Sequence, residues 1–295
     1  HNWTRNSTLD KADLPRVKSI FQSRWEGGKI IQADLSQAEL RVVFMDALLV
    51  DPEDTRVKDA YWEAFRTGKK FDAHTFVATI LFQKPSEEIE KWMRAVGKTN
   101  NFAMVFQKSL PMFHEELKPH IPNIPEDQAK EYMNLYFKRM GAVKTWQKRR
   151  NREVVRYGQM ATFFGRVRRS NLVNSGDKSK VNAAKRALVN SRIQGTVADL
   201  NNLILGMIQE ELIENEMESL VVGAVHDSTI IDTHPDEVEQ IPYLVRHVMQ
   251  KIHEELDWIT IPMIMDIGIG DNLEDQVDFD FPDGIAAGPH PDLER

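Results

Sequence analysis

Hydrophobic positions along this chain change period several times, and the changes mark its elements. Lys29-Ile-Ile-Gln-Ala-Asp34 is a short apolar run that predicts a buried strand ending at a carboxylate. Ser36 then fits an N-cap, with Glu39 three residues on as a capping-box partner, and Leu40, Val43, Phe44 and Leu48 continue as a helix. Residues 59–66 and 71–82 predict two more helices, the second capped by Asp72. Pro85-Ser86 breaks the pattern, and Ser86-x-x-Ile89 opens a helix that carries Arg94 to Phe106. Pro111, Pro119, Pro122 and Pro125 punctuate the next stretch, and a long amphipathic helix is expected over 126–157, with a break at Gly141.

Both periods recur further on. Residues 158–169 predict a strand and turn feeding a basic loop, and the polar stretch 171–179 a mobile connection. Residues 181–213 predict one or two helices, interrupted near Gln194-Gly195-Thr196. Leu220-Val-Val-Gly-Ala-Val225 and Thr229-Ile-Ile-Asp232 are β-branched runs around His226-Asp227-Ser228, which reads as a hairpin tip. A helix over 238–257 and a strand over 261–268 follow. From Asp271 the chain is acidic and aperiodic, and predicts an extended or disordered appendage.

A chain of 295 residues with 41% hydrophobic content can fill one large domain or two. With no Cys it has neither disulfides nor Cys-ligated zinc. No apolar run reaches membrane-spanning length and no signal peptide opens the chain, so no membrane partner is expected and a cytoplasmic location is. The first residue is His, which points to a processed product or a fragment. The net charge of −7 is unevenly placed: residues 271–295 hold eight acids and one base, leaving 37 of each sign in the body. Lys138 to Arg156 alone carries eight Lys/Arg against Glu153. Such a stripe attracts phosphates even on an acidic protein, although an exposed helix face accounts for it too.

Four positions carry candidate chemistry. Arg94, Lys98, Phe102 and Phe106 stand four apart, so a helix aligns them on one face. That face offers two cations, then two rings, the order that a nucleoside triphosphate needs; a basic edge beside a buried stripe explains the spacing as well. Arg186, Asn190 and Gln194 repeat the spacing with side chains able to hydrogen-bond bases or sugars. Asp34 at a strand end is held rigidly, as metal ligands are, but also reads as part of a helix start. Asp227 at a hairpin tip is equally ordinary turn chemistry.

Taken together, these pieces resemble the family A DNA polymerases, those like bacterial DNA polymerase I. Asp34-Leu-Ser-Gln-Ala-Glu-Leu-Arg41 is similar to the first palm motif. Arg94 to Phe106 is similar to the fingers motif Arg-x3-Lys-x3-Phe-x3-Tyr-Gly, and His226-Asp-Ser to the third motif, usually His-Asp-Glu. Asp72-Ala-His74, Thr162-x-x-Gly-Arg166 and Gln194-Gly-Thr-Val-Ala-Asp199 agree, and all six fall in the family's order. The resemblance implies an α+β fold: a palm with an antiparallel sheet and helices, and an inserted helical fingers subdomain. Residues 1–50 would be the first part of the palm, 51–157 the fingers, 158–270 the second part of the palm, and 271–295 an acidic tail. A thumb and any exonuclease domain would lie N-terminal to this chain, supplied by a partner chain or lost from a fragment.

The resemblance also implies roles. Asp34 and Asp227 would bind two Mg²⁺ ions for transfer of a nucleotide from dNTP to a primer 3′-hydroxyl. Arg94 and Lys98 would hold the triphosphate, with Lys98 near the α-phosphate; His74 would touch the phosphates, and Phe102 and Phe106 would lie by sugar and base. Glu39 would exclude a 2′-hydroxyl, and Gln37 and Arg41 would be structural or template-side, with Gln37 also beside the nucleotide. Arg186, Asn190, Gln194, His226, Arg166 and Arg168 would contact primer–template DNA, and Arg5 is matched weakly to a primer-binding Arg. Phe106 stands where the family has Tyr, Gln107 where it has Gly, and Ser228 where it has an acid. Some phage enzymes share such features, which favours a phage source. A single-subunit RNA polymerase, which can carry His-Asp-Ser, and a catalytically inactive nucleic-acid-binding relative are the alternatives; Phe102 and Glu39 argue against the first.

Overall fold

A computed structural model describes residues 17–293, which excludes Arg5. They divide into two units. The first holds residues 17–36, 201–255 and 264–290. Its centre is a five-stranded antiparallel sheet in the order β4 (Leu220–Val225), β5 (Ser228–Thr233), β1 (Lys29–Leu35), β6 (Met265–Gly270) and β7 (Gln276–Asp278). The apolar run of β1 makes it the natural centre. Ile31 and Ala33 are fully buried, and Ile31 pairs with Ile231 on one side and Ile269 on the other. The same register sets Asp34 between Ser228 on β5 and Asp266 on β6.

The second unit, residues 37–200, 256–263 and 291–293, is mainly helical. It contains α1 (Ala38–Leu48), α2 (Arg56–Arg66), α3 (Ala73–Phe82), α4 (Lys91–Val105), α5 (Leu110–Leu117), α6 (Glu126–Arg139) and α7 (Gly141–Tyr157). A two-stranded ribbon, β2 (Gln159–Ala161) and β3 (Val167–Arg169), follows α7. The sequence reading assigns residues 37–50 and 158–200 to the sheet-bearing part; here they cluster with the helices. No helix among the described residues is long and apolar enough to cross a membrane.

Several local expectations change. Ser36 is not the cap of α1. Gln37 is, with a left-handed φ of 50° and no side-chain cap hydrogen bond, while the Ser36 N–H donates to Ile264 O at 2.9 Å. The break in the long amphipathic stretch falls at Met140. Residues 171–174, expected in a mobile connection, form a short 3-10 turn that buries Val173. α8 (Lys178–Glu214) runs unbroken for 37 residues through Gly195, because Leu188, Ile193, Val197, Leu200, Ile204 and Ile208 continue one buried stripe across it. α9 (Ile241–Glu255) is shorter at both ends than its periodicity suggested.

The acidic tail is not an appendage. β7 pairs with β6, Phe281 is buried, and Ala287 bridges to Met265. Tyr243, Phe279 and Phe281 form an edge-on aromatic cluster, with Phe279 and Phe281 5.0 Å apart. The Arg246 guanidinium lies 3.6 Å over Phe281 and pairs with Asp283 at 2.6 Å. Phe279 and Phe281, set between the acids, hold this segment to the fold, while Val277 is exposed.

Candidate active site

In the sheet unit, a two-residue turn joins β4 to β5 and presents His226 and Asp227. Short hairpin turns require positive φ, and His226 supplies it at 60°. The turn is tied down twice: Leu35 N–H donates to Asp227 O at 3.1 Å, and Asn201 Nδ2 donates to His226 O at 3.4 Å. Ser228, buried, accepts from Gln32 Nε2 at 2.9 Å and donates its hydroxyl to Asp34 Oδ1. Burial pushes the Asp34 carboxyl up; the Ser228 hydrogen bond opposes this, and the charges of Asp227 and Asp266 add to the rise. Two acids remote in sequence therefore sense each other at one end of the sheet. Asp266 is a third that the sequence reading missed, since a lone Asp in an apolar strand has no signature until β6 pairs with β1.

This donor set suits a hard divalent cation. Carboxylate oxygens are its preferred ligands, and a divalent charge would offset the burial that raises Asp34 and the repulsion from Asp227 and Asp266 that adds to it. Among the described residues no three His, Cys, Asp or Glu side chains are grouped so as to hold a metal ion by themselves. A Mg²⁺ here would take one or two carboxylates and complete its shell with water and substrate phosphate, its usual habit.

In the helical unit, α4 exposes Arg94 and Lys98 and half-buries Phe102 and Phe106, while Met93, Val96, Ala103 and Met104 face inward. The two Phe rings stack 5.8 Å apart at 9°. α3 and α4 approach closely at Gly97, where any Cβ would overlap the His74 carbonyl. Asp72 caps α3 as expected, accepting from His74 N–H at 3.1 Å, and also binds Thr75 Oγ1 at 2.6 Å and Arg94 Nε at 2.5 Å. Burial would raise its carboxyl, but these bonds hold it below the usual range. His74 is buried against Phe102, ring centroids 5.6 Å apart. Burial lowers its pKa to about 4, with Arg94 and Lys98 adding and Asp72 opposing, so it is neutral near pH 7.

Other expected residues take up architectural contacts. Gln37 spends its amide on the start of α3: Oε1 accepts from Ala73 N–H at 3.1 Å and Nε2 donates to Phe71 O at 3.4 Å. Arg41 is buried, donates to Pro262 O and lies 4.4 Å over Tyr61. Arg166 is exposed but engaged, with Nε on Asp199 at 2.9 Å and Nη2 on Gly195 O at 3.0 Å. Thr162 Oγ1 donates to the same Asp199 at 2.9 Å. The Thr162–Arg166 turn thus sits on the Gln194–Asp199 segment, and a Cβ at Gly195 would come within 2.8 Å of Thr162 Cγ2. Arg168 is exposed on β3. Arg186 and Gln194 are exposed on α8, with Asn190 half-buried between them and its Oδ1 buried without a hydrogen-bond partner.

The hub of the helical unit was invisible in the sequence. Asp46, fully buried in α1, accepts from Trp146 at 2.6 Å, from Arg150 at 2.7 and 3.0 Å, and from Arg192 at 2.8 and 2.9 Å. Burial would raise its carboxyl; hydrogen bonds and charge from Arg192 and Arg150 outweigh that and hold it low. Arg192 also donates to Ala161 O at 2.6 Å and stacks 4.3 Å from Phe163.

A sheet that seats acids at its strand ends, joined in one chain to a helical unit with a cation-then-aromatic helix, defines a class that the sequence comparisons identify. Residues 6–275 match the model of DNA polymerase family A, and the chain belongs to that family. It is 30% identical over 267 residues to the DNA polymerase of Bacillus phage SP01, covering 88% of this chain and 27% of that protein. It is 30% identical over 257 residues to the thermostable DNA polymerase I of Thermus aquaticus, covering 87% and 28%. The solved POL domain of Pol1 from M. smegmatis, in complex with DNA primer-template and dNTP, matches with a TM-score of 0.75 and 25% identity, covering 88% of this chain and 42% of that one. The chain spans under a third of the length of these curated relatives.

Proposed function

We propose that this chain carries the nucleotidyl-transfer site of a DNA-directed DNA polymerase, transferring a nucleotide from dNTP to a primer 3′-hydroxyl with release of pyrophosphate. The observation that carries the reading is the convergence of Asp34 and Asp227, 193 positions apart in sequence, at neighbouring strand ends. Asp34 and Asp227 would hold Mg²⁺, with Ser228 fixing the Asp34 carboxylate. Mg²⁺, when bound, supplies Lewis-acid activation of the 3′-hydroxyl and neutralises charge on the pyrophosphate. Arg94 and Lys98 would bind the triphosphate, and Lys98, exposed at the centre of α4, would act where negative charge develops. Phosphate would have to compete with Asp72 for Arg94. His74, being neutral, would contribute a hydrogen bond rather than a charge. Phe102 and Phe106 would flank sugar and base, and Glu39 would close off the 2′ position. Arg186, Asn190 and Gln194 would contact primer–template DNA. In this reading the sheet unit corresponds to the palm and the helical unit is largely the fingers, with a thumb supplied by a separate N-terminal segment or chain.

Primer extension with purified variants tests it. Asp34→Asn and Asp227→Asn are expected to abolish extension while leaving DNA binding largely intact, since the lost charge is used most in the transition state. Lys98→Ala is expected to lower the single-turnover rate, and Arg94→Ala to raise the dNTP KM as well. Near-native extension by Asp227→Asn would overturn the assignment.

A further inference from the structure

We propose that the basic groove along the C-terminal half of α7 is a track for single-stranded DNA, separate from the nucleotide-binding face of α4. The groove is a cavity of about 510 Å³, walled by Arg149, Arg152, Arg156, Tyr157 and, from α8, Arg192. Arg149, Arg152 and Arg156 fall on one helical face, at three- and four-residue spacing. All three are exposed. Arg150 and Arg192 line the groove too, but they are bound to Asp46. Glu153 pairs with Arg149 at 3.2 Å and with Arg150 at 2.6 Å. Five guanidiniums therefore meet two carboxylates, a surplus of three positive charges, and no ion pair engages Arg152 or Arg156 among the described residues.

The fold has built this surplus rather than left it as a stray charge run. Asp46 fixes the floor of the groove, so the outer arginines stand on a rigid base. Seven residues of helix span about 10 Å, which is about three phosphate steps of a stacked strand.

The aromatic at the end of the row selects a single strand. Tyr157 is 59% exposed, and the Arg156 guanidinium lies 5.2 Å from its ring. An open ring beside guanidiniums is a stacking platform for an unpaired base, and a duplex keeps its base faces covered. The polymerase reading enters only in naming the strand DNA; the charge and the ring stand without it.

The test is binding of fluorescent oligothymidylate to the full chain, followed by anisotropy against salt with neither dNTP nor metal present. Arg152→Glu/Arg156→Glu is expected to weaken binding at least tenfold. Arg152→Gln/Arg156→Gln is expected to reduce the slope of log K against log salt by about 1.4, because a single strand contributes roughly 0.7 per phosphate contact. Tyr157→Ala is expected to weaken binding with no change in that slope. Lys58→Glu, on α2, serves as the charge control, and unchanged circular dichroism melts show that each variant is folded. Unchanged binding by both Arg152/Arg156 variants overturns the proposal, and so does an equal loss in Lys58→Glu. Primer extension on the same preparations separates the two readings. A chain that binds through the groove but extends nothing, even with the thumb-bearing segment supplied, overturns the polymerase assignment alone; one that extends primers while its groove variants bind normally overturns the groove alone.

Discussion

Ser228 stands where the family pattern carries an acid, and its hydroxyl couples Gln32 to Asp34 instead of adding a charge. That exchange keeps one more negative charge away from a carboxylate already raised by burial and by its neighbours. Phe106 makes the opposite kind of change, because it removes a hydroxyl that in the family braces the Glu at the sugar. Because Phe106 has no hydroxyl to offer Glu39, dNTP should still be preferred over NTP, but by a smaller ratio than in Phe106→Tyr. A neutral hydrogen bond is worth about 0.5–1.5 kcal/mol, roughly two- to tenfold in discrimination. Single-nucleotide incorporation of matched dNTP and NTP measures it, and an unchanged ratio in Phe106→Tyr means that another group braces Glu39. His74 yields a pH prediction with a definite sign. Its pKa is about 4 in the folded chain against 6.5 for an unperturbed His. Between those values the unfolded chain binds the extra proton, so stability falls as pH drops from about 6.5 to about 4. Urea unfolding across that window should show a shallower pH slope for His74→Asn than for the native chain.

At the scale of elements, what could be read in the sequence was what is local. The β1 strand, the Asp72 cap, the face of α4 and the β4–β5 hairpin depend on neighbours within a turn or a strand, and all are found. Gly195 misled, because a glycine in a helix looks like a break, whereas here it clears space for the Thr162–Arg166 turn. Asp46 was missed because its partners lie 100, 104 and 146 residues away. Its interior position in α1 reads as an ordinary polar residue until α7 and α8 pack on it. Asp46→Ala would take the shared anion from two arginines, each only 12% exposed, leaving Arg150 with Glu153 alone and Arg192 with the Ala161 carbonyl. Losing one partner of a buried pair costs about 3–5 kcal/mol. The urea midpoint should fall accordingly; a shift worth less than about 1 kcal/mol would mean that the arginines find other partners or water. Because the folded carboxyl of Asp46 lies below 3.8, this stabilisation is complete above that pH and is lost only on further acidification.

For the whole molecule, charge decides how DNA can be held. The chain carries −7, and its cations are concentrated rather than spread, so affinity for a polyanion must come from a few local surfaces. The α7 groove offers a surplus of three charges, and the α8 face adds Arg186. A handful of phosphate contacts places a protein in the non-specific range, with a Kd of about 10⁻⁴–10⁻⁶ M at physiological salt. The isolated chain is therefore expected to bind primer–template weakly, and to lose that binding steeply as salt rises. A thumb-bearing N-terminal segment, the partner proposed above, would add backbone contacts along the duplex. Each neutralised phosphate steepens the salt dependence by about 0.9 on duplex DNA. Adding that segment should therefore tighten binding and increase the slope together. Anisotropy titrations of labelled primer–template at several salt concentrations, with the chain alone and with the segment supplied, give both quantities. Nanomolar binding by the chain alone at physiological salt would mean that its own basic surfaces suffice and that no such partner is needed. Tighter binding with an unchanged slope would mean that the partner acts by ordering this chain rather than by gripping the phosphates.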